Sequence, residues 1–225
     1  MYDAVIVSDL HLGSPYCLRD RLVKLFREGL PEAKALYILG DLFDSVEGPF
    51  EHADWAVMDE IRRSKFPSKM WVLGNHDGAP LWNRASLLGI PCVTSQGTFC
   101  VSGWKYFYLT HGHEWDHFLK RHERAAEYLN RWYQLAYCLH PRFGRWFKTQ
   151  WMTWTDCTSE AAVQAKELRL AGKCEAVVCG HTHSSSLLSE ADDTPYYCNL
   201  GCWTDPKETC FATIEKGELR LHYYE

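Results

Sequence analysis

The chain has 225 residues, of which 46% are hydrophobic and 24% charged, with a formal net charge of −5. This composition excludes a disordered chain, because it supplies enough apolar residues for a sizeable core. The negative charge argues against a general nucleic-acid binder, a class that is usually basic.

The ten cysteines and the start of the chain indicate where the protein resides. The cysteines stand mostly inside apolar runs and form no Cys-x-x-Cys pair, so we expect reduced, buried thiols and no disulfide framework or structural zinc site. The opening MYDAVIVSDLHLG carries no basic leader, and no stretch approaches the about 18 apolar residues of a membrane span. We therefore expect a soluble, cytoplasmic protein.

Strands and helices are predicted to alternate along the first part of the chain. Short apolar runs typical of buried strands occupy residues 4–8, 35–39, 69–73, 106–110 and 175–179. Two intervening helices are predicted from apolar faces, formed by Leu18, Leu22, Leu25 and Phe26 in the first and by Trp55, Met58 and Ile61 in the second. Gly29 can end the first helix. This alternation indicates an α/β layered fold.

The later part of the chain favours hairpins. The stretch GTFCVSGWKYFYLTH predicts two strands around Ser102 and Gly103. After residue 180, PYYCNL, TCFATIE and ELRLHYY are separated by turn-prone residues and predict antiparallel strands. The sheet arrangement should therefore be mixed.

Residues 115–154 differ in composition from the rest of the chain. This segment contains eleven aromatic residues and seven Lys or Arg against three Asp or Glu. Apolar residues recur at helical spacing until Pro141, and forty residues are too few for a self-sufficient core. We predict a helical insertion within one domain that spans residues 1–225.

Polar residues suited to binding a metal follow each of the five apolar runs named above. The groups are Asp9 and His11; Asp41; Asn75, His76 and Asp77; His111 and His113; and His181 and His183. Ligands bind beyond the carboxyl ends of strands in open α/β sheets, so we expect these groups to meet. Imidazole, carboxylate and amide without thiolate suit divalent Mn, Fe or Zn. Taken alone, Asp-x-His would be chance or a turn, Gly-Asp is almost uninformative, and Asn-His-Asp could be a capped turn. His-x-His after a glycine is suggestive of a pair of ligands.

Five motifs in this order resemble the signature of the calcineurin-like metallophosphoesterase superfamily. They are SDLHLG (8–13), GDLFD (40–44), GNHD (74–77), HGH (111–113) and GHTH (180–183). The resemblance implies an α/β fold made of a two-layer mixed β-sandwich flanked by helices, with the 115–154 segment as a helical cap. It also implies a dinuclear metal centre between the sheets, which replaces the open sheet suggested by the strand pattern.

The resemblance assigns a role to each polar residue. It implies seven metal ligands: Asp9, His11 and His183 for the first ion, Asn75, His111 and His181 for the second, and Asp41 bridging both. His76 would protonate the leaving group, with Asp77 placed to orient it. The implied cofactors are two divalent metal ions, with Mn favoured and Fe, Zn or Mg as alternatives. Such a pair can hold phosphate oxygens and lower the pKa of water.

Several substrates and one non-enzymatic role stay open. Chain length, GDLFD, the insertion and YYCNLGCWTD resemble the branch related to UDP-2,3-diacylglucosamine pyrophosphohydrolase, which implies a pyrophosphate substrate. GNHD is instead the general phosphodiesterase form, so a general phosphodiesterase, a phosphatase or a nuclease is the alternative. A non-catalytic scaffold is disfavoured because all seven ligand positions and His76 are filled.

The partner we expect is a phosphate-ester or nucleotide-linked small molecule, with no stable nucleic-acid partner. Arg121, Arg124 and Arg131 of the insertion could contact a phosphate while its aromatic residues cover an apolar tail. The simpler interpretation gives these residues the core and the solvated face of a helical cap. Peripheral membrane contact is less favoured, because the aromatic residues form no clean stripe.

Overall fold

The structure is a computed structural model that describes residues 1–45, 50–77, 90, 92–93, 97–116 and 158–225. Its strands are β1 (Tyr2–Val7), β2 (Ala33–Leu39), β3 (Ser68–Val72), β4 (Cys92–Val93), β5 (Thr98–Ser102), β6 (Lys105–Leu109), β7 (Ala176–Cys179), β8 (Ser186–Ser189), β9 (Pro195–Asn199), β10 (Cys210–Glu215) and β11 (Glu218–Tyr223). Its helices are α1 (Arg19–Lys24), α2 (His52–Arg63) and α3 (Thr158–Leu170). A π-helical turn, Leu25–Gly29, continues α1, and a 3₁₀ turn covers His113–Trp115.

The described strands form two mixed sheets. The first has six strands in the order β11-β10-β1-β2-β3-β4, and the second has five in the order β5-β6-β7-β9-β8. In the first sheet β1, β2, β3 and β4 run parallel, while β10 and β11 are antiparallel additions. In the second sheet β6, β7 and β9 run parallel between the antiparallel edge strands β5 and β8.

Strand β1 is buried on both faces, which explains its continuous apolar run. Because successive side chains alternate between faces, Val5 and Val7 pack in a core with residues of α1 and α2. Ala4 and Ile6 face the opposite way and pack with residues of the second sheet. The outer face of that sheet packs against α3. The layers are therefore helix, sheet, sheet and helix, and the predicted sandwich is confirmed.

The parallel strands bring their carboxyl ends together. The chain leaves β1, β2 and β3 at the same edge of the first sheet, and it leaves β6, β7 and β9 at one edge of the second. The sheets are joined there, since the His111 ring after β6 bonds through Nδ1 to the backbone oxygen of Leu39 in β2, at 2.9 Å. All five polar groups predicted as ligands therefore lie at one end of the sandwich.

The prediction for α2 placed the wrong residue on its buried face. Trp55 is 50% exposed, whereas Asp54 is fully buried. The carboxylate of Asp54 accepts hydrogen bonds from the Arg19 side chain at 2.6 Å and from the backbone N–H of Gly13 at 3.0 Å. The helix is rotated so that this buried ion pair is satisfied. Met58 and Ile61 are buried as predicted.

Other expectations have mixed outcomes. The Ser102–Gly103 hairpin is present as β5 and β6, but β9 runs parallel to β7, which the antiparallel prediction for the later strands did not include. Each of the seven cysteines whose side chains are described is a buried free thiol, as predicted. The predicted insertion at 115–154 lies outside the described residues, apart from Trp115 and Asp116. Among the described residues, no helix combines the length and apolar character needed to cross a membrane.

Candidate metal centre

The backbone at the strand ends adopts an unusual conformation. Seven described non-glycine residues have a positive φ, and five of them are predicted ligands: Asp9 (53°), His11 (49°), Asp41 (46°), His181 (70°) and His183 (57°). Such conformations cost on the order of 1–3 kcal/mol each and persist where the surrounding structure over-determines them. These backbone conformations direct the side chains of the five predicted ligands toward one another.

Two glycines make room for the ligand side chains. A Cβ atom on Gly74 would lie 2.2 Å from Oδ1 of Asp41. A Cβ on Gly180 would lie 2.0 Å from both Oδ2 of Asp9 and Oγ of Ser8. The glycine that precedes Asn75 and the glycine that precedes His181 are therefore required for the close approach of the loops.

Four predicted ligands form a compact group. The ligand atoms of Asp9, His11, Asp41 and His183 all lie within 4.8 Å of one another. Nε2 of His183 is 3.2 Å from Oδ1 of Asp9 and 2.9 Å from Nε2 of His11. Nε2 of His11 is 3.8 Å from Oδ2 of Asp41. These atoms come from the loops after β1, β2 and β7.

The remaining predicted ligands adjoin this group near Asp41. Nε2 of His111 lies 3.4 Å from Oδ2 of Asp41 and 3.0 Å from Oδ1 of Asn75. The ring of His181 lies beside that of His111, with 5.2 Å between centroids. All seven predicted ligands are therefore brought together, and Asp41 stands between the two parts of the set.

Oxygen acceptors orient three of the imidazoles. Nδ1 of His111 faces the Leu39 backbone oxygen at 2.9 Å, and Nδ1 of His11 faces Oδ1 of Asp44 at 3.1 Å. His181 is turned the other way, because its Nε2 faces Oδ2 of Asp116 at 3.0 Å. Oxygens of these kinds only accept, so the nitrogen of His111 that faces Leu39 and the nitrogen of His181 that faces Asp116 each carry a proton. The contact of His11 with Asp44 is an ion pair without the geometry of a hydrogen bond. The opposite nitrogens would bind an ion, and in His111 this nitrogen also lies 3.0 Å from Oδ1 of Asn75. This arrangement is characteristic of metal-ligating histidines.

The buried charges of the site shift one another's pKa values. Burial alone would lower the pKa of His11, but Asp44, Asp9 and Asp41 outweigh it and raise that pKa to about 10. The same competition, with Asp41 as the main opposing charge, raises the pKa of His111 to about 10. Burial would raise the pKa values of Asp9 and Asp41, but the surrounding histidines hold both below the ordinary 3.8. Without an ion, protons supply the positive charge that these carboxylates attract.

The residues fit a divalent cation. Oδ1 of Asp9 is buried and makes no hydrogen bond of acceptable geometry within the described part of the chain. The neighbouring Nε2 atoms of His11 and His183 are close enough that their lone pairs would repel one another if both rings were neutral Nδ1–H tautomers. A cation bound between these atoms would satisfy all three donors at once, and carboxylate with imidazole is a donor set suited to Zn, Mn or Fe.

His76 lies at the open edge of the site. Its side chain is 32% exposed, and its Nε2 is 3.9 Å from Oδ2 of Asp41. Its Nδ1 bonds to the backbone oxygen of Asp44 at 2.8 Å. This carbonyl fixes the proton on Nδ1, and Nε2 is the nitrogen nearer Asp41.

The expected contact between Asp77 and His76 is replaced by other contacts. The Asp77 carboxylate accepts hydrogen bonds from the backbone N–H of Gly74 at 2.9 Å, from Nε1 of Trp71 at 3.2 Å and from the backbone N–H of Phe43 at 3.3 Å. Burial and Asp41 raise the pKa of Asp77 to about 7. Asp77 therefore holds the loop after β3, and Asp44 takes over the orientation of His76.

Three supporting residues carry contacts that the sequence did not assign. Asp44 stands in the GDLFD motif but had no predicted role, and Asp116 carried no signal. Asn199, in the YYCNLGCWTD stretch, donates from Nδ2 to the backbone oxygen of Gly180 at 2.6 Å. It thereby fixes the start of the loop that carries His181. His113 also had no firm role, and its ring centroid lies 5.4 Å from that of His111.

Comparisons with known structures agree with this architecture. An archaeal phosphodiesterase is similar with a TM-score of 0.52 and 17% identity, over 98% of this chain and 99% of that chain. YfcE, a phosphoesterase from E. coli, is similar with a TM-score of 0.51 and 16% identity, over 99% of both chains. At these identities the likeness shows the fold alone. A comparison with curated proteins finds no match.

A family model identifies the chain more directly. The model described as calcineurin-like phosphoesterase matches residues 3–185, which include all five motifs and every predicted ligand. Members of this family use divalent metal ions. The chain therefore belongs to the calcineurin-like phosphoesterase family of metal-dependent phosphoesterases.

Proposed function

We propose that this protein hydrolyses a phosphodiester or pyrophosphate bond at a centre of two divalent ions. In this proposal Asp9, His11 and His183 hold one ion, Asn75, His111 and His181 hold the other, and Asp41 contacts both. Bound ions would supply positive charge for the phosphoryl oxygens and lower the pKa of water toward neutrality.

One observation carries the proposal: the carboxylate of Asp41 lies between two sets of donors. Oδ2 of Asp41 is 3.8 Å from Nε2 of His11 and 3.4 Å from Nε2 of His111, so one oxygen lies close to a histidine of each group. Its Oδ1 accepts a hydrogen bond from the backbone N–H of His76 at 3.0 Å, which fixes the plane of the carboxylate. A buried carboxylate held between two histidine groups is suited to bridge a pair of cations.

His76 supplies the proton in this proposal. Asp44 fixes one proton on Nδ1, so in the imidazolium form the second proton sits on Nε2, the nitrogen nearer Asp41. A partly exposed imidazolium beside the reacting phosphate can donate that proton to the departing oxygen. General acid catalysis of this kind is typically worth about 10²–10⁴-fold in rate.

The proposal also names a favoured metal and a favoured substrate. Mn²⁺ is the ion we favour, with Fe, Zn or Mg as alternatives, because the donor set combines carboxylate, amide and imidazole. A pyrophosphate such as that of UDP-2,3-diacylglucosamine is the substrate suggested by the sequence of the motifs. Phosphodiesters, including cyclic nucleotides and single-stranded DNA, are the alternatives that an assay has to separate.

The test is a hydrolysis panel with Mn²⁺. The substrates are bis-p-nitrophenyl phosphate, UDP-2,3-diacylglucosamine, a cyclic nucleotide and single-stranded DNA, each assayed with the unmodified protein and with Asp41→Asn. We expect at least one substrate to be cleaved. We expect Asp41→Asn to lose more than about 100-fold in rate and at least one bound ion, because even residues that only support metal ligands cost about 10–100-fold.

Two outcomes would contradict the proposal. Full turnover by Asp41→Asn with two ions bound would show that Asp41 does not bridge. Two bound ions without hydrolysis of any of the four substrates would favour the scaffold interpretation. Because the variant is purified in the same way, any contaminating phosphoesterase appears equally in both preparations.

A further inference from the structure

The contact between Asp116 and His181 connects two distant parts of the chain. Oδ2 of Asp116 lies 3.0 Å from Nε2 of His181, and both side chains are almost completely buried, with exposures of 5% and 9%. Asp116 directly follows the 3₁₀ turn after the HGH motif, whereas His181 follows β7. No motif of the sequence includes Asp116.

This contact determines which nitrogen of His181 can bind an ion. A carboxylate only accepts hydrogen bonds, so Nε2 must carry a proton and Nδ1 keeps its lone pair. His11 and His111 are oriented in the opposite sense, because acceptors face their Nδ1 atoms. Among these three histidines, only His181 is directed to offer Nδ1.

The rest of His181 is held firmly as well. Its backbone N–H donates to Oδ2 of Asp9 at 3.0 Å, and its φ of 70° is unusual for a residue with a side chain. The ring lies beside those of His111 and His113, and Asp116 supplies the hydrogen-bond acceptor that distinguishes its two nitrogens.

We infer that Asp116 is a positioning residue that holds His181 in its Nε2–H form and so sets the affinity for the ion on the Asn75–His111–His181 side. This inference rests on the proposed function, because it requires His181 to be a ligand. It predicts that the two ions respond differently to a change at Asp116. The ion proposed for Asp9, His11 and His183 does not use His181 as a ligand.

The experiment is a calorimetric titration of the metal-free protein with Mn²⁺, combined with electron paramagnetic resonance of the loaded protein. The variants are Asp116→Asn, which keeps an oxygen acceptor for Nε2–H, and Asp116→Ala, which does not. We expect one of two ions to bind about 10-fold more weakly in the first variant and up to about 100-fold more weakly in the second. The protein should keep its affinity for the other ion. The resonance signal of a coupled Mn²⁺ pair should be weaker in Asp116→Asn than in the unmodified protein, and weakest in Asp116→Ala.

Glu114→Gln is the matched control, since it removes the same charge from the same turn. Glu114 accepts hydrogen bonds from the backbone N–H of Gly112 at 3.1 Å and from the hydroxyl of Thr110, neither of which is a predicted ligand. We expect this variant to bind both ions normally. Thermal unfolding in chelator identifies any variant that has lost its fold.

The outcomes separate the inference from the proposed function. Two ions bound with unchanged affinity in both Asp116 variants would overturn the inference and leave the proposed function standing. Complete loss of one ion in Asp116→Asn, as in Asp116→Ala, would show that Asp116 is itself a ligand, which also overturns the positioning role. An unmodified protein that fails to bind two ions would overturn both.

Discussion

The histidines of the site each use their two nitrogens for different tasks. In His11, His76, His111 and His181 one nitrogen faces a named oxygen, as an ion pair in His11 and through a hydrogen bond in the other three, and the other nitrogen is left for an ion or a substrate. The acceptors are two side-chain carboxylates and two backbone carbonyls. Acceptors of this kind fix the tautomer and the rotation of a ring, so the chemistry of each histidine depends on a residue that does not itself react.

His76→Gln tests whether His76 acts as the acid and not as a metal ligand. Glutamine cannot act as an acid, so we expect both ions to bind normally and turnover to fall. The fall should be small for bis-p-nitrophenyl phosphate, whose leaving group needs little protonation. It should approach about 10²–10⁴-fold for an alkyl phosphodiester with a poor leaving group. The measurements are rates on both substrates and the metal content of the variant.

His113→Gln provides the comparison for that experiment. His113 lies beside His111 but is not one of the seven proposed ligands and is not the proposed acid. Its substitution should leave the ratio of the two rates unchanged. An equal loss on good and poor leaving groups in His76→Gln would show that His76 binds the substrate and does not protonate it.

At the level of elements, the site depends on how closely the strand ends approach one another. The loop after β7 passes so near the end of β1 that Gly180 has no space for a side chain. We expect Gly180→Ala to move this loop, displace His181 and His183 together, and weaken Mn²⁺ binding by more than about 10-fold, comparable to about 10–100-fold for the loss of a supporting residue. Calorimetric titration with Mn²⁺ measures the effect.

Gly172→Ala controls for the general cost of replacing a glycine. Gly172 has a φ of +66°, a Cβ added to it would meet no described atom within 4 Å, and it lies outside the site. A left-handed conformation costs an alanine about 1–2 kcal/mol. This variant should therefore lose stability without losing metal affinity. Normal Mn²⁺ binding by Gly180→Ala would show that the loop tolerates displacement.

Local patterns made much of the fold predictable. An apolar run followed by a polar residue is visible within a short stretch of sequence, and the five runs became β1, β2, β3, β6 and β7. Strand β8 was missed because Ser186–Ser189 is a short edge strand that is only partly buried. The strand pattern alone suggested a single open sheet. The resemblance to the family predicted the arrangement in two sheets.

What the sequence could not predict depends on pairs that are distant in the chain. Asp116 contacts His181, Asp44 contacts His11, and Asp54 contacts Arg19, so each carboxylate is explained only by a partner on another element. The same reason accounts for the exposure of Trp55, since α2 rotates to bury Asp54. The ligand roles of the seven residues stay predictions, although the structure brings the residues together.

Across the whole molecule, the site joins the two sheets. Asp9, His11, Asp41 and Asn75 follow strands of the first sheet, whereas His111, His181 and His183 follow strands of the second. Ions bound between these residues would therefore stabilise the packing of one sheet on the other. Binding of a ligand to the folded state alone adds about 2.7 kcal/mol per site when its free concentration is about 100 times the Kd.

The stability of the metal-free protein should depend on pH in a defined way. The raised pKa values of His11 and His111 give stability that is complete below the ordinary 6.5 and is lost as the pH rises toward about 10. The lowered pKa values of Asp9 and Asp41 give stability that is present above the ordinary 3.8 and is lost in acid. The raised pKa of Asp77 adds a loss of stability between the ordinary 3.8 and about 7, which moves the optimum toward the acid end of this range. We therefore expect the Tm in chelator to decline from about pH 6.5 to about pH 8.

Mn²⁺ should reverse that decline, because an ion replaces the protons on the imidazoles and binds more tightly as they leave. We expect Mn²⁺ to raise the Tm more at about pH 8 than at about pH 5.5. At the higher pH the rise should be several degrees, since 1 kcal/mol corresponds to about 2–4 °C for a chain of this size. Differential scanning calorimetry at both pH values measures it, and Asp41→Asn should show a much smaller rise. Equal rises at the two pH values would mean that Mn²⁺ does not compete with these protons and binds elsewhere on the protein.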